Sequence, residues 1–232
     1  MRNRPANRFD AIEDALRLLV RAGYRPCLVI DGGANRGQWS TLALPIFPGA
    51  AFHLVEPQPA CAPALAALAR KERRVKVHRC ALTAPGFSAV RMVGGGPEGG
   101  GTGAWVARPG ETAEDVQDVP AATLDALFAD LATAELRPLL KLDVEGHEVE
   151  ALSGGERLLA QVEVVLAEFQ MFEIHGNGLP CFAELYAFLV GHGFELYDFA
   201  ALSPRPRDQR LRMGDALFVR RGSALLGDNA WA

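Results

Sequence analysis

Apolar positions divide the chain into alternating helices and strands. Phe9, Ile12, Leu16, Leu19 and Val20 recur at helical spacing, with charged residues between them and Gly23 behind, which predicts an amphipathic helix. An apolar run over 27–31 reads as a buried strand, and 38–44 as a helix that stops before Pro45. The pattern then repeats with a strand over 50–55, an alanine- and leucine-rich helix over 60–70 and an alternating strand over 75–80. That order, α-β-α-β-α-β, implies a parallel sheet with helices on its faces.

Downstream, 88–93 reads as a strand leading into the glycine-rich stretch 94–103, a loop. A helix is expected over 122–133 and a fourth core strand over 139–143. A helix starting at Glu145 carries on through Leu159. A fifth strand covers 162–168, a helix 182–190, a sixth strand 194–199 and a last strand 213–221. Only 203–212 separates the last two strands, so they can pair as an antiparallel hairpin. No internal repeat or linker divides the chain. The expected layout is an N-terminal helix over 1–24, one α/β domain over 25–222 and a tail over 223–232.

Four of the buried strands close on acids: Asp31, Glu56, Asp143 and Glu168. In an open α/β sheet, ligands sit outside the carboxyl ends of the strands. The first strand also runs into Gly32, Gly33, Ala34, Asn35, Arg36 and Gly37, a strand–turn–helix geometry that brings backbone close to a nucleotide-like ligand. This turn is not the G-x-G-x-x-G of a dinucleotide fold, and no triphosphate loop is present. Glu56 falls roughly 20 residues beyond the turn, the separation at which dinucleotide folds place a ribose-binding acid. A ribose and a charged amino-acid end without a diphosphate suit this combination, and S-adenosylmethionine has those features.

Composition narrows the setting. The 232 residues are enough for one sizeable core, and 49% apolar with 22% charged residues marks a globular chain. A net charge of −4 argues against a broad nucleic-acid-binding face. No apolar run reaches the roughly 18–20 residues of a membrane span, and the start lacks a secretory signal; a cytoplasmic protein is expected. Cys27, Cys61, Cys80 and Cys181 form no C-x-x-C pair and read as buried, reduced thiols.

Asp31-Gly-Gly-Ala-Asn-Arg-Gly37, Leu54-Val-Glu-Pro57 and Leu140-Lys-Leu-Asp-Val-Glu-Gly-His-Glu148 together resemble the FkbM-type methyltransferases. The resemblance runs from about Cys27 to Arg221. It implies a class I, Rossmann-like methyltransferase fold of seven mostly parallel strands with a reversed C-terminal edge. It also implies S-adenosylmethionine as cofactor and usually an oxygen as methyl acceptor. By this resemblance Asp31, Gly32, Gly33, Ala34, Asn35 and Gly37 form the cofactor loop. Glu56, followed by Pro57, meets the ribose hydroxyls, and Cys80, Ala81 and Leu82 line the adenine. Asp143 and Glu145 open toward the methyl group. The 94–103 stretch departs from the serine-rich loop common in the family.

Asp143, Glu145 and His175 are the candidate general bases. His147 lies within the specific 141–148 segment, whereas His53 and His78 read as structural. Glu148 has an alternative explanation in the dipole of the helix it begins. Lys141 stands in an otherwise apolar strand and should meet Asp143, Glu168 or another carboxylate. Asp143, Glu145, Glu168 and His175 suit a hard cation chemically, but the sequence demands no metal and none is assigned. The expected acceptor is a small molecule or glycan carrying a hydroxyl. A catalytically silent binding protein of the same fold is the alternative, and a nicotinamide-dependent oxidoreductase is disfavoured by the missing third glycine.

Overall fold

The computed structural model describes residues 9–94, 103–107, 116–131, 136–173 and 181–227. His175 and most of the glycine-rich stretch lie outside them. The first half of the main sheet is built by β1 (Phe9–Asp10), α1 (Ile12–Arg21), β2 (Leu28–Gly32), α2 (Gln38–Ala43), β3 (Ala51–Val55), α3 (Ala62–Lys71) and β4 (Val75–His78). A small second sheet follows from β5 (Ala81–Leu82), β6 (Ala89–Val93), β7 (Trp105–Val106) and β8 (Val116–Ala122), and then α4 (Leu124–Leu127). The main sheet resumes with β9 (Leu139–Leu142), α5 (Glu148–Ser153), α6 (Glu156–Leu159), β10 (Val164–Gln170), α7 (Phe182–Gly191), β11 (Phe194–Pro204) and β12 (Leu211–Arg220).

The main sheet has the order β1-β11-β12-β10-β9-β2-β3-β4. Five strands, β4 to β10, run parallel, and β12 lies antiparallel between β10 and β11. These are the seven strands of a Rossmann-like methyltransferase sheet, with the expected hairpin at the reversed edge; the two-residue β1 adds an eighth.

Strands β2 and β9 are buried along their whole lengths, as the central strands of a covered parallel sheet must be. Alternate residues feed two cores. Val29, Leu139 and Val164 pack with Leu16 and Leu19 of α1 and Leu65 of α3. Ile30, Leu140 and Val165 pack with Leu152 and Leu185 on the other face. The period-2 alternation of strand side chains assigns Asp31, Lys141, Glu168 and Asp215 to the first face as well. No helix among the described residues is long and apolar enough to cross a membrane.

Several expectations change. Phe9 and Asp10 pair with Leu202 and Ala201 as β1 instead of opening the helix, which starts at Ile12. The helix expected from Glu145 starts at Glu148, because Glu145 and Gly146 hold φ of +56° and +92° and close a turn first. It breaks into α5 and α6 around Gly154 and Gly155, where a Cβ on Gly154 would stand 2.2 Å from the Thr83 carbonyl oxygen. Ala122 ends β8, so the helix over 122–133 reduces to α4 and one tight turn at Ala129–Leu131. Strand β10 runs two residues past Glu168. The small sheet was not foreseen, since two of its strands are only two residues long. Cys61 and Cys80 are buried as expected, but Cys27 is exposed and Cys181 partly so.

His53 and His78 face each other across β3 and β4. His78 Nε2 and His53 Nδ1 share a proton at 3.0 Å, with Phe128 beside both rings. Burial pushes His53 down to about 4, and His78 and Lys76 add to it. His78 is lowered as well, by burial and Lys76. A base with a folded pKa below its unfolded value of 6.5 stabilises fully above that pH, and the contribution drains as pH falls toward 4. Between pH 7 and 5, His53→Asn should therefore lose less thermal stability than the wild type; equal losses in melting curves would show that the pair has no such role.

Candidate active site

The turn after β2 folds onto the ends of its neighbours. Gly33 and Ala34 donate their N–H groups to the Val55 carbonyl at 3.0 and 3.1 Å, and Asp143 N–H donates to the Gly32 carbonyl at 3.1 Å. Gly33 and Gly37 turn the chain with φ of +75° and +83°. A Cβ on Gly33 would sit 1.8 Å from the Asp143 carbonyl oxygen, so only glycine lets the two loops touch. Asn35 takes φ +47° and donates its N–H to Glu56 Oε2 at 2.7 Å, while Gln58 N–H donates to Glu56 Oε1 at 2.9 Å. Burial raises the Glu56 pKa against the pull of those two donors.

Beneath the turn lies Lys141. In β9 it stands in register with Asp31 of β2. Its Nζ lies 3.0 Å from Asp31 Oδ1 and 3.5 Å from Asp143 Oδ2, and donates to the Gly33 carbonyl at 2.9 Å. Asp31 Oδ2 accepts from Ser40 Oγ of α2 at 2.6 Å, and Asp31 has no exposed surface. Burial alone would lower the Lys141 pKa; Asp31 and Asp143 outweigh it and hold the ammonium above its usual range. The lysine's expected carboxylate partners thus prove to be Asp31 and Asp143.

A cleft of about 230 Å³ opens above this layer. Gly33, Asn35, Glu56 and Pro57 line it, together with Cys80, Ala81 and Leu82. Met92 and Val106 of the small sheet also line it, as do Asp143, Glu145 and Glu168 at the strand ends. Asp31, Gly32, Ala34 and Gly37 are absent from its lining; the first three are buried below it, and Gly37 caps α2. A second cavity lies between α1, α2 and the strand ends, lined by Asp10, Trp39, Lys141 and Asp215 among others. Asp143 and Glu168 line both spaces.

Acids crowd this border. Burial raises Glu168 well above the usual carboxylate range, and Asp143, Glu145 and Glu148 raise it further. Burial and then Asp143 raise Glu145 and also Asp215, which reaches about 6. Glu148 is pushed up to about 8 by burial, although its Oε1 accepts the N–H groups of Val144 and Gly146. It pins the 144–147 turn, a specific contact beyond the helix-dipole explanation. His147 lies within 3.2 Å of the Thr83 hydroxyl. Sequence reasoning proposed neither Glu168 as a base nor Gln58 as a lining residue; for Glu168 the strand-end position was the available signal.

A profile of the family described as methyltransferase FkbM domain matches residues 31–196.

The chain belongs to the FkbM methyltransferase family.

The crystal structure of an FkbM methyltransferase from Methylobacillus flagellatus KT shares the fold at a TM-score of 0.52 and 15% identity. That match covers 91% of this chain and 48% of the other, so the chain spans about half of that relative's length. A 1,6-didemethyltoxoflavin-N1-methyltransferase from Burkholderia thailandensis, solved with S-adenosylhomocysteine, is similar at 0.45 and 16% identity, covering 91% and 79% of the two chains. Aeropyrum pernix fibrillarin with bound S-adenosyl-L-methionine is similar at 0.45 and 14%, covering 87% and 74%. No curated protein matches significantly in sequence.

S-adenosylmethionine is the cofactor of this methyltransferase family and fold, and the cleft suits it. Gln58 Oε1 is buried without a hydrogen-bond partner among the described residues, and Gln58 lines the cleft. An acceptor of this kind matches a ligand that carries ribose hydroxyls, an ammonium and a sulfonium.

The Lys141–Asp31 pair should dominate the local energetics. Lys141→Met strands a fully buried carboxylate and should cost about 3–5 kcal/mol in urea unfolding. Adding Asp31→Leu should recover much of that cost. A single variant as stable as the wild type would show that the pair does not hold the turn.

Proposed function

We propose that this methyltransferase methylates a hydroxyl oxygen of a small molecule, with a sugar or natural product as the acceptor class. The observation that carries the reading is the border shared by two spaces. Asp143 and Glu168 line the cleft and the second cavity together, so a donor in one and an acceptor in the other meet at carboxylates.

When bound, S-adenosylmethionine supplies an electrophilic methyl carbon on a sulfonium. On this reading Glu56 meets the ribose hydroxyls through lone pairs left over from its two backbone donors. Asn35 and Pro57 flank it, and Cys80, Ala81 and Leu82 lie against the adenine. Asp31, Gly32, Ala34 and Gly37 act from below the cleft by fixing the shape of the turn. Asp143 and Glu145 are on this reading the groups that take the acceptor's proton; His175, the third candidate, lies outside the described residues. Holding the acceptor oxygen in line is worth on the order of 7–11 kcal/mol, and a positioned base typically ~10²–10⁴-fold. An aliphatic hydroxyl, being a weak acid, needs such a base more than a phenol does.

Calorimetry with S-adenosylhomocysteine should show saturable binding, weakened at least about tenfold, or 1.4 kcal/mol, by Glu56→Ala. No binding by the wild type would sink the cofactor assignment. With a hydroxylated acceptor found by screening, single-turnover methylation by Asp143→Asn or Glu145→Gln should slow about 10²-fold or more. Unchanged rates in both would remove these bases, and transfer only to nitrogen acceptors would overturn the oxygen specificity.

A further inference from the structure

Three carboxylates converge on the wall between the two spaces. Asp143 follows β9, Glu145 sits on the left-handed turn just beyond it, and Glu168 lies near the end of β10. One oxygen from each lies within 4.8 Å of the others. Two oxygens bound to one Mg²⁺ at about 2.0–2.1 Å stand at most about 4 Å apart, and two bound to Ca²⁺ about 5 Å, so a small inward rotation of these side chains brings all three oxygens into one coordination sphere.

A second, independent feature points the same way. Glu168 Oε2 has essentially no solvent contact and no hydrogen-bond partner among the described residues. A buried polar atom left bare is costly. The ion pairs found within 4.0 Å among the described residues bring one cation to the three acids, Lys141 at 3.5 Å from Asp143, and that lysine lies closer to Asp31. Asp215, in register with Glu168 across β10 and β12, adds a further carboxylate nearby.

We infer that Asp143, Glu145 and Glu168 bind one hard divalent cation, Mg²⁺ or Mn²⁺, at the border of the cleft and the second cavity. The donors are oxygen only, which favours hard ions over softer ones such as zinc or copper. Three protein ligands leave positions for water, the habit of Mg²⁺. The site rests on the carboxylates and not on the acceptor's identity. Joined to the methyl-transfer reading, it gives the hydroxyl a place: the acceptor oxygen replaces one bound water, and the cation makes its proton easier to lose. That proton passes to a carboxylate oxygen turned away from the ion. The new O–C bond forms as the S–C bond breaks, and the charge on sulfur is neutralised.

The probe is Mn²⁺ added to the full chain, followed by the electron paramagnetic resonance signal of the free ion, with Mg²⁺ as competitor. One Mn²⁺ per chain with a dissociation constant below about 1 mM is expected. Glu168→Gln and Glu145→Gln should each weaken it at least about tenfold, while exposed Glu195→Gln should not. Circular dichroism melting establishes that each variant is folded. A wild type that does not bind Mn²⁺ overturns the inference, as do equal affinities in all variants; the first result would leave a shared proton to neutralise Glu168. S-adenosylhomocysteine binding, measured in parallel, separates the readings. Its loss with Mn²⁺ binding intact removes the methyl-donor assignment alone, and the converse removes only the metal.

Discussion

The Lys141 ammonium sits under the glycine turn, between the carboxylates of Asp31 and Asp143 and against the carbonyl of Gly33. It joins the acid of β2 and the backbone of the turn that follows to the exit of β9, about a hundred residues later in the sequence. In so buried a place the ammonium is tolerable only because it is paired, and the carboxylate only because of the ammonium. Neither can be removed alone without stranding the other. The turn that borders the cleft thus takes its position from the Asp31–Lys141 pair lying below it, outside the cleft lining.

From that pair the rest of the site follows by register. Strand β9 lies between β2 and β10, and β10 lies against β12, so side chains on one face form a row across four strands. Asp31 and Lys141 stand level in one such row, opposite Leu166 and Leu217, and Glu168 and Asp215 stand level in the next, with Asp143 beyond the end of β9. Apolar residues fill the same face lower down. Polar groups gather where the strands end because there they meet two open spaces. Burial raises Glu145, Glu168 and Asp215, and the mutual repulsion that adds to it follows from gathering acids at neighbouring strand ends.

Much of this was legible in the sequence. The buried strands, the glycine turn and the strand-end acids are local patterns, and the apolar runs around Asp31, Asp143 and Glu168 located them within a residue or two. Partners were less legible, because strand order and register are tertiary facts. Lys141 plainly needed a carboxylate, but only the alignment of β2 with β9 picks Asp31. Turn chemistry hid the true start of α5, since nothing in Glu145 itself announces a left-handed backbone. The small sheet escaped because β5 and β7 are too short to show a period, and β8 contains Pro120. Yet it is the element that contributes Met92 and Val106 to the cleft.

Among the described strands β12 comes last in sequence, yet it is interior in space. Until it emerges from the ribosome, β10 has an unpaired edge and β11 can pair only with the two-residue β1. Nascent chains stalled before residue 211 would therefore expose the hydrogen-bonding edge of a highly apolar strand, a recognised invitation to aggregate or to recruit chaperones. Asp215, carried on that strand, reaches Glu168 only at the same step. Completion of the sheet and completion of the acidic wall are a single late folding event.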